Sequence, residues 1–74
     1  IWIYRRYRDA DTAEKQALRR AAGLDERASV AATDAERREI AARAAVLREL
    51  ADSHRATADD IIRRAKELGY LPPG

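Results

Sequence analysis

The sequence predicts an all-α protein, a small module of three or four helices, and three observations lead there. Apolar residues recur at helical spacing through most of the chain, four segments open beside a side chain able to start a helix, and no alternating β-branched run is present. The expected helices lie near 10–22, 25–32, 33–53 and 57–68, three or four according to whether 25–32 forms. An aromatic and basic arm at 1–8 precedes this helical module of residues 9–69, and an extended tail at 70–74 follows it.

The arm, Ile1 to Arg8, holds the only Trp, two of the three Tyr and three Arg, with no acidic residue. It differs in kind from the rest of the chain, and the only strand the sequence could supply is a stray one at Ile1 to Tyr4. Asp9 or Asp11 can cap the first helix, and Asp11 with Glu14 three residues on approximates a capping box. The apolar stripe of that helix is Ala10, Ala13, Ala17, Leu18 and Ala21, a small-residue face suited to close helix approach, and Gly23 offers the left-handed residue that commonly ends a helix. Asp25 can start a short helix burying Leu24, Ala28 and Val30 or Ala31.

Thr33 followed by Glu36 is the best cap in the sequence, placed directly before a long periodic run. Ile40, Ala44, Leu47, Leu50 or Ala51, and His54 fall on one stripe of the helix it opens, with Val46 alongside. After a connection at 55–57, Thr57 with Asp60 caps a last helix whose stripe is Ile61, Ile62, Ala65 and Leu68. Gly69 ends it. Pro72 and Pro73 then force an extended tail, from which Tyr70 and Leu71 are expected to fold back onto the core.

A chain of 74 residues supports at most one core, and here the core is thin. Of the 46% hydrophobic residues half are alanine, and outside the arm only eleven large aliphatics remain: Leu18, Leu24, Val30, Ile40, Val46, Leu47, Leu50, Ile61, Ile62, Leu68 and Leu71. Each offers about 1.5–3 kcal/mol if fully buried, against about 1–2 kcal/mol per residue for ordering the backbone. A partner protein or self-association, including a homo-oligomer sealed through the alanine faces, is the expected supplement. With no cysteine, neither a disulfide nor a thiolate metal site can take that role. The Ala, Arg and Asp bias fits a bacterial or phage genome, and a chain opening on Ile1 rather than Met is expected to be processed, trimmed or part of something longer.

Net charge is +2, but its distribution matters more than its sum. Residues 1–8 carry three arginines, whereas 12 basic and 13 acidic residues lie from Asp9 onward. Many of the latter fall at helix-supporting i,i+4 spacing, as in Asp11/Lys15, Asp34/Arg38, Glu39/Arg43, Arg48/Asp52, Asp59/Arg63, Asp60/Arg64 and Arg63/Glu67. They read as a solvated helical surface.

Catalytic chemistry is not expected. Asp52-Ser53-His54 has the residue types of a hydrolytic triad, but consecutive helix positions point about 100° apart and cannot form a relay. His54 near the end of the long stripe reads as a structural residue interacting with the last helical carbonyls. No spacing signature supports a metal site, the glycines form no phosphate-cradling loop, and no cofactor is implied.

The residues singled out for binding are Trp2, Tyr4, Arg5, Arg6, Tyr7 and Arg8. As the end of a membrane anchor, the apolar start would sit at the interface depth that Trp and Tyr favour, with the arginines on the cytoplasmic side. As a docking arm, Trp2 and Tyr4 would be hot-spot residues on another protein. As a nucleic-acid arm, the arginines would meet phosphates and the aromatics would stack on bases.

Thr57 to Pro72 resembles the third helix and Gly-Tyr-x-Pro exit of lac-repressor-type DNA-binding heads, over less than a quarter of the chain. In that family a compact helix-turn-helix precedes the motif. Here a single long helix is expected, and although Ala22-Gly23-Leu24 could imitate the turn, Ser29 stands where a buried aliphatic is required, so no DNA-contacting residue carries over. The function expected from the sequence is a non-catalytic helical interaction module, the cytoplasmic-side part of a membrane-anchored or assembly-associated subunit at the inner face of a membrane. A small nucleic-acid-binding protein is the alternative.

Overall fold

The computed structural model describes the backbone of residues 2–72 and the side chains of 3–72. Two α-helices make up almost all of it, α1 over Trp2–Ser29 and α2 over Asp34–Glu67, joined by residues 30–33. They fold back on each other as an antiparallel hairpin of 54 × 17 × 16 Å. At about 1.5 Å rise per residue, the 34 residues of α2 account for that length. The all-α expectation holds, but with two long helices in place of three or four.

Both mergers have a physical reason. Gly23 is exposed and sits inside α1, where it costs about 1 kcal/mol relative to alanine without stopping the helix, because Leu24 and Ala28 continue the buried stripe beyond it. The expected helix at 25–32 is therefore the last part of α1 as far as Ser29, and residues 30–32 fall in the connection. The helical backbone likewise extends back to Trp2, so residues 2–8 are the first turns of α1 rather than a separate arm or a strand, while Ile1 lies outside the described residues. At the other predicted break Thr57 does not cap a helix. Its hydroxyl donates to the Ser53 carbonyl at 3.1 Å, one turn back, and leaves the ladder intact.

The seam explains why both helices run on. Along α2, Ile40, Ala44, Leu47, Ala51, His54, Ala58, Ile61, Ala65 and Leu68 alternate four and three residues apart, which is the 3.5-residue period of a coiled coil. Ile3, Tyr7, Ala10, Glu14, Ala17, Ala21, Leu24 and Ala28 repeat it along α1. Among the described residues every buried one belongs to this seam, and every one is alanine: Ala10, Ala17, Ala21, Ala44, Ala51, Ala58 and Ala65. Alanines facing alanines let two helices approach at the lower end of the usual interaxial range of about 8–10 Å. The cross-helix ion pairs Asp25–Arg48, Asp11–Arg55 and Glu14–Arg55 bracket the register, and the seam pairing that fits them together with the grooves lined by Leu24 and Leu47 and by Ala10 and Thr57 sets Ala10 opposite Ala58, Ala17 opposite Ala51 and Leu24 opposite Ala44. The alanine faces expected to seal an oligomer thus meet within one chain.

The ends follow the sequence more closely. Ser29 Oγ donates to the Glu26 carbonyl at 2.6 Å as α1 closes, and Val30 and Ala31 bond three residues back. Thr33 is extended (φ −129°, ψ 157°) and its Oγ1 accepts the Glu36 amide at 3.1 Å, as the cap predicts. Asp34 and Glu36 in the first turn of α2, and Arg64 and Lys66 in its last, complement the helix dipole. Gly69, at φ +80°, terminates α2: its amide donates to Lys66 O and that of Tyr70 to Ala65 O at 2.8 Å, a Schellman exit. Leu71 returns half-buried as expected, whereas Tyr70 stays exposed, and Pro73 and Gly74 of the predicted tail lie outside the described residues.

Two stability changes follow. Thr33→Ala is expected to lower stability by about 0.5–2 kcal/mol through loss of the cap, read by denaturant titration. Gly23→Ala is expected to raise it by about 0.5–1 kcal/mol, since a Cβ there meets nothing within 4 Å. A neutral or destabilising Gly23→Ala would show that α1 is not continuous at that point.

Candidate interaction surface

The hairpin divides the six N-terminal candidates between two roles. Tyr7 turns into the seam, half-buried, with the Arg55 guanidinium of α2 5.8 Å from its ring centre. Tyr4, Arg5 and Arg8 point outward and line one shallow groove on the side of α1 together with Asp9, Thr12 and Gln16. Arg6 turns toward α2, on a different groove shared with His54, Thr57 and Ile61. Trp2 contributes its backbone to the first turn of α1, and its side chain lies outside the described ones.

Chain reversal adds residues that sequence reasoning left out of the site. Leu68, Tyr70 and Leu71 come back to the end of the rod where α1 begins, and Leu68 and Tyr70 are both exposed. All four aromatic residues of the chain therefore lie in the end segments of the same end of the hairpin. The signal that could have found this is the shared seven-residue period of the two halves together with the short connection at 30–33, which closes only as an antiparallel pair and so returns residue 70 to the end where α1 begins.

One polar cluster sits across the seam near this end. Arg55 Nη1 donates to Asp11 Oδ1 at 3.2 Å and to Glu14 Oε1 at 3.1 Å. Its Nε lies 3.3 Å from Asp59 Oδ1, near enough for ionic attraction but not aligned as a hydrogen bond, so this buried nitrogen has no hydrogen-bond partner among the described residues. The side-chain hydrogen bond to Tyr7, followed by the charges of Glu14 and Asp59, holds the guanidinium proton more tightly than usual, with desolvation opposing. The Lys15 ammonium, 2.9 Å from Asp11, is the main reason that the Asp11 carboxyl is held below the ordinary aspartate range, with Arg55 adding to it and desolvation opposing. Glu14 occupies a seam position level with His54, and Arg55 is what neutralises it there. Such a charged layer inside an apolar seam fixes register.

Of the seven i,i+4 pairs expected, Asp11–Lys15, Glu39–Arg43, Asp60–Arg64 and Arg63–Glu67 form. Asp34 pairs instead with Arg37, Arg48 with Asp25 across the seam, and Asp59 with Arg55. Of these three only Arg48–Asp25 is tertiary, formed because α1 lies close enough to supply the partner, whereas Asp34 and Asp59 exchange one neighbour on α2 for another.

Asp52, Ser53 and His54 are consecutive on α2, with Asp52 and Ser53 exposed and His54 half-buried at the seam. They diverge as helix geometry requires. No group of three His, Asp or Glu side chains among the described residues converges as metal ligands, and no helix among them is long and apolar enough to cross a membrane. Ala22-Gly23-Leu24 is continuous helix, so the turn of a helix-turn-helix is not formed there, and Thr57–Glu67 belongs to α2 rather than to a separate third helix.

The large aliphatics remain largely uncovered. Leu18, Val30, Val46, Leu50 and Leu68 are exposed, and the other six of the eleven are only half-buried. Comparison with protein-family models, with curated proteins and with solved structures finds no match to the chain.

Proposed function

We propose that this protein is a non-catalytic helical interaction module, a hairpin that completes its packing against another protein as part of a membrane-associated or larger assembly. The observation that carries this reading is the uncovered aliphatic surface: among the described residues no large side chain is fully buried, while Val46 is 64% and Leu50 45% exposed. A two-helix hairpin has one seam and no second layer, so these residues are covered only by packing against an element outside the hairpin. Tyr4, Arg5 and Arg8, beside Leu68 and Tyr70, form its anchoring end, where aromatic and arginine side chains have the chemistry of binding hot spots.

Site-directed photo-cross-linking in the cells of origin tests the reading. A photoreactive residue replacing Tyr4 is expected to give a discrete protein adduct, lost on Arg5→Glu with Arg8→Glu, whereas the same residue replacing Arg38 at the opposite end gives none. Adducts to nucleic acid at Tyr4, or equal adducts at both ends, would overturn it.

A further inference from the structure

We propose that the groove between Leu24 of α1 and Leu47 of α2 is a docking site for an acidic amphipathic helix of the partner. The inference rests on the reading of the hairpin as an interaction module and assigns one partner chemistry to one face.

The two sides of the seam are built differently. On one side acids of α1 meet arginines of α2, Asp25 with Arg48 and Asp11 and Glu14 with Arg55, and these pairs tie the helices together. On the other side, Arg27 of α1 and Arg43 of α2 flank the same groove, Arg20 lies on the α1 edge beside Arg27, and no acidic residue lines it. Arg20 and Arg27 make no ion pair among the described residues, and Arg43 is paired only with Glu39 on its own helix. Like charges gathered on both edges of a groove destabilise the isolated hairpin and are relieved by an anionic ligand.

The floor decides which kind of anion. Leu24, Val46 and Leu47 line it, Leu50 continues it one turn along α2, and Gly23 adds no side chain, leaving a shallow apolar groove of about 600 Å³. A phosphate backbone would leave that floor uncovered. A second copy related by a two-fold axis would set arginine edges against arginine edges, since an isologous contact brings each patch against itself. A helix carrying apolar residues at i, i+3 or i+4 and i+7, flanked by Asp or Glu, satisfies both floor and edges. Two such turns span about 11 Å, which matches the seven residues, nearly two helical turns, between Arg20 and Arg27.

The test uses a fluorescently labelled helix-forming peptide with Leu at i, i+3 and i+7 and Glu on the flanks, and a matched peptide with Lys for Glu. Anisotropy titration of the full chain is expected to show binding of the acidic peptide and none of the lysine peptide. Arg20→Glu with Arg27→Glu is expected to weaken it by about tenfold or more, and Val46→Asp, at an exposed floor position, to do the same, while both variants keep the wild-type circular dichroism spectrum. Failure of the acidic peptide to bind at millimolar concentration, equal binding of the two peptides, or unchanged binding by the Arg20/Arg27 variant would overturn the proposal. The cross-link expected at Tyr4 would survive each of those results, so the two readings fail separately.

Discussion

Ala51→Leu is expected to destabilise the hairpin by about 1–3 kcal/mol, a large share of what a core of this size supplies, which rarely exceeds about 3–5 kcal/mol. Ala51 is 1% exposed and level with Ala17, itself buried, so the added carbons have no free volume and must push the helices apart. Separation would cost the neighbouring alanine layers their contacts as well. The same change at Ala56, which faces solvent on the same helix, is expected to stay within about 0.5 kcal/mol of wild type, since leucine and alanine both favour helix. Urea titrations of the two variants supply the comparison. Equal stabilities would mean that the seam is not closely packed.

Arg55→Ala is expected to give the largest loss among the charged positions, and a larger fall in melting midpoint than Arg48→Ala. Arg48 makes one exposed pair with Asp25, whereas Arg55 serves Asp11, Glu14 and Asp59 and covers the Tyr7 ring. Its removal leaves the Glu14 carboxylate at a seam position without the cation that neutralises it. Glu14→Ala in the same background should therefore recover part of the loss, a coupling that a merely exposed pair would not give.

Acid should erase the Arg55 effect. The Asp11 carboxyl is held below its ordinary value, mainly by the hydrogen bond from Lys15 with Arg55 adding to it, so its contribution is complete above the unfolded value of about 3.9 and is lost as pH falls through the lower folded value. Asp60 behaves alike, with Arg63 as the main cause and Arg64 contributing. The difference in melting midpoint between wild type and Arg55→Ala should be constant around neutral pH and shrink below about pH 4. A difference that persists unchanged into strong acid would show that Arg55 acts through packing rather than charge.

The helical class, the Thr33 cap and the Gly69 exit were all legible because each depends on a few adjacent residues. Thr33 accepts the Glu36 amide and Gly69 takes a positive φ, which are local properties of short segments. No break forms at Gly23 or Thr57, because the longer period overrides the local signals there. Thr57-x-x-Asp60 has the composition of a cap, but Ala44, Ala51, Ala58 and Ala65 recur every seven residues straight through it, and tertiary burial of that row outweighs a local alternative. Residues 1–8 were separated from the rest on composition, whereas Ile3 and Tyr7 occupy seam positions in phase with Ala10 and Ala17.

The candidate surface was half legible for the same reason. Tyr4, Arg5 and Arg8 are outward-facing as a binding site requires, but Tyr7 is committed to Arg55 inside the hairpin. Leu68 and Tyr70 were separated from the N-terminal run by the whole length of the chain, and only the antiparallel pairing brings them to that end. The arginine-edged groove was not visible in any single segment, because Arg27 and Arg43 flank it from different helices.

The hairpin stands on the alanine seam and its register, and a sequence without cysteine lets both be measured directly. Ala17→Cys with Ala51→Cys places two thiols at level, buried seam positions, and bridging needs Cα atoms within about 7 Å. Under air oxidation this variant should form an intramolecular disulfide in a monomeric chain, detected by mass spectrometry and non-reducing electrophoresis, while Ala17→Cys with Ala44→Cys, one heptad out of register, should not. Closure of the second pair in preference to the first, or only intermolecular bridges in both, would contradict the hairpin described.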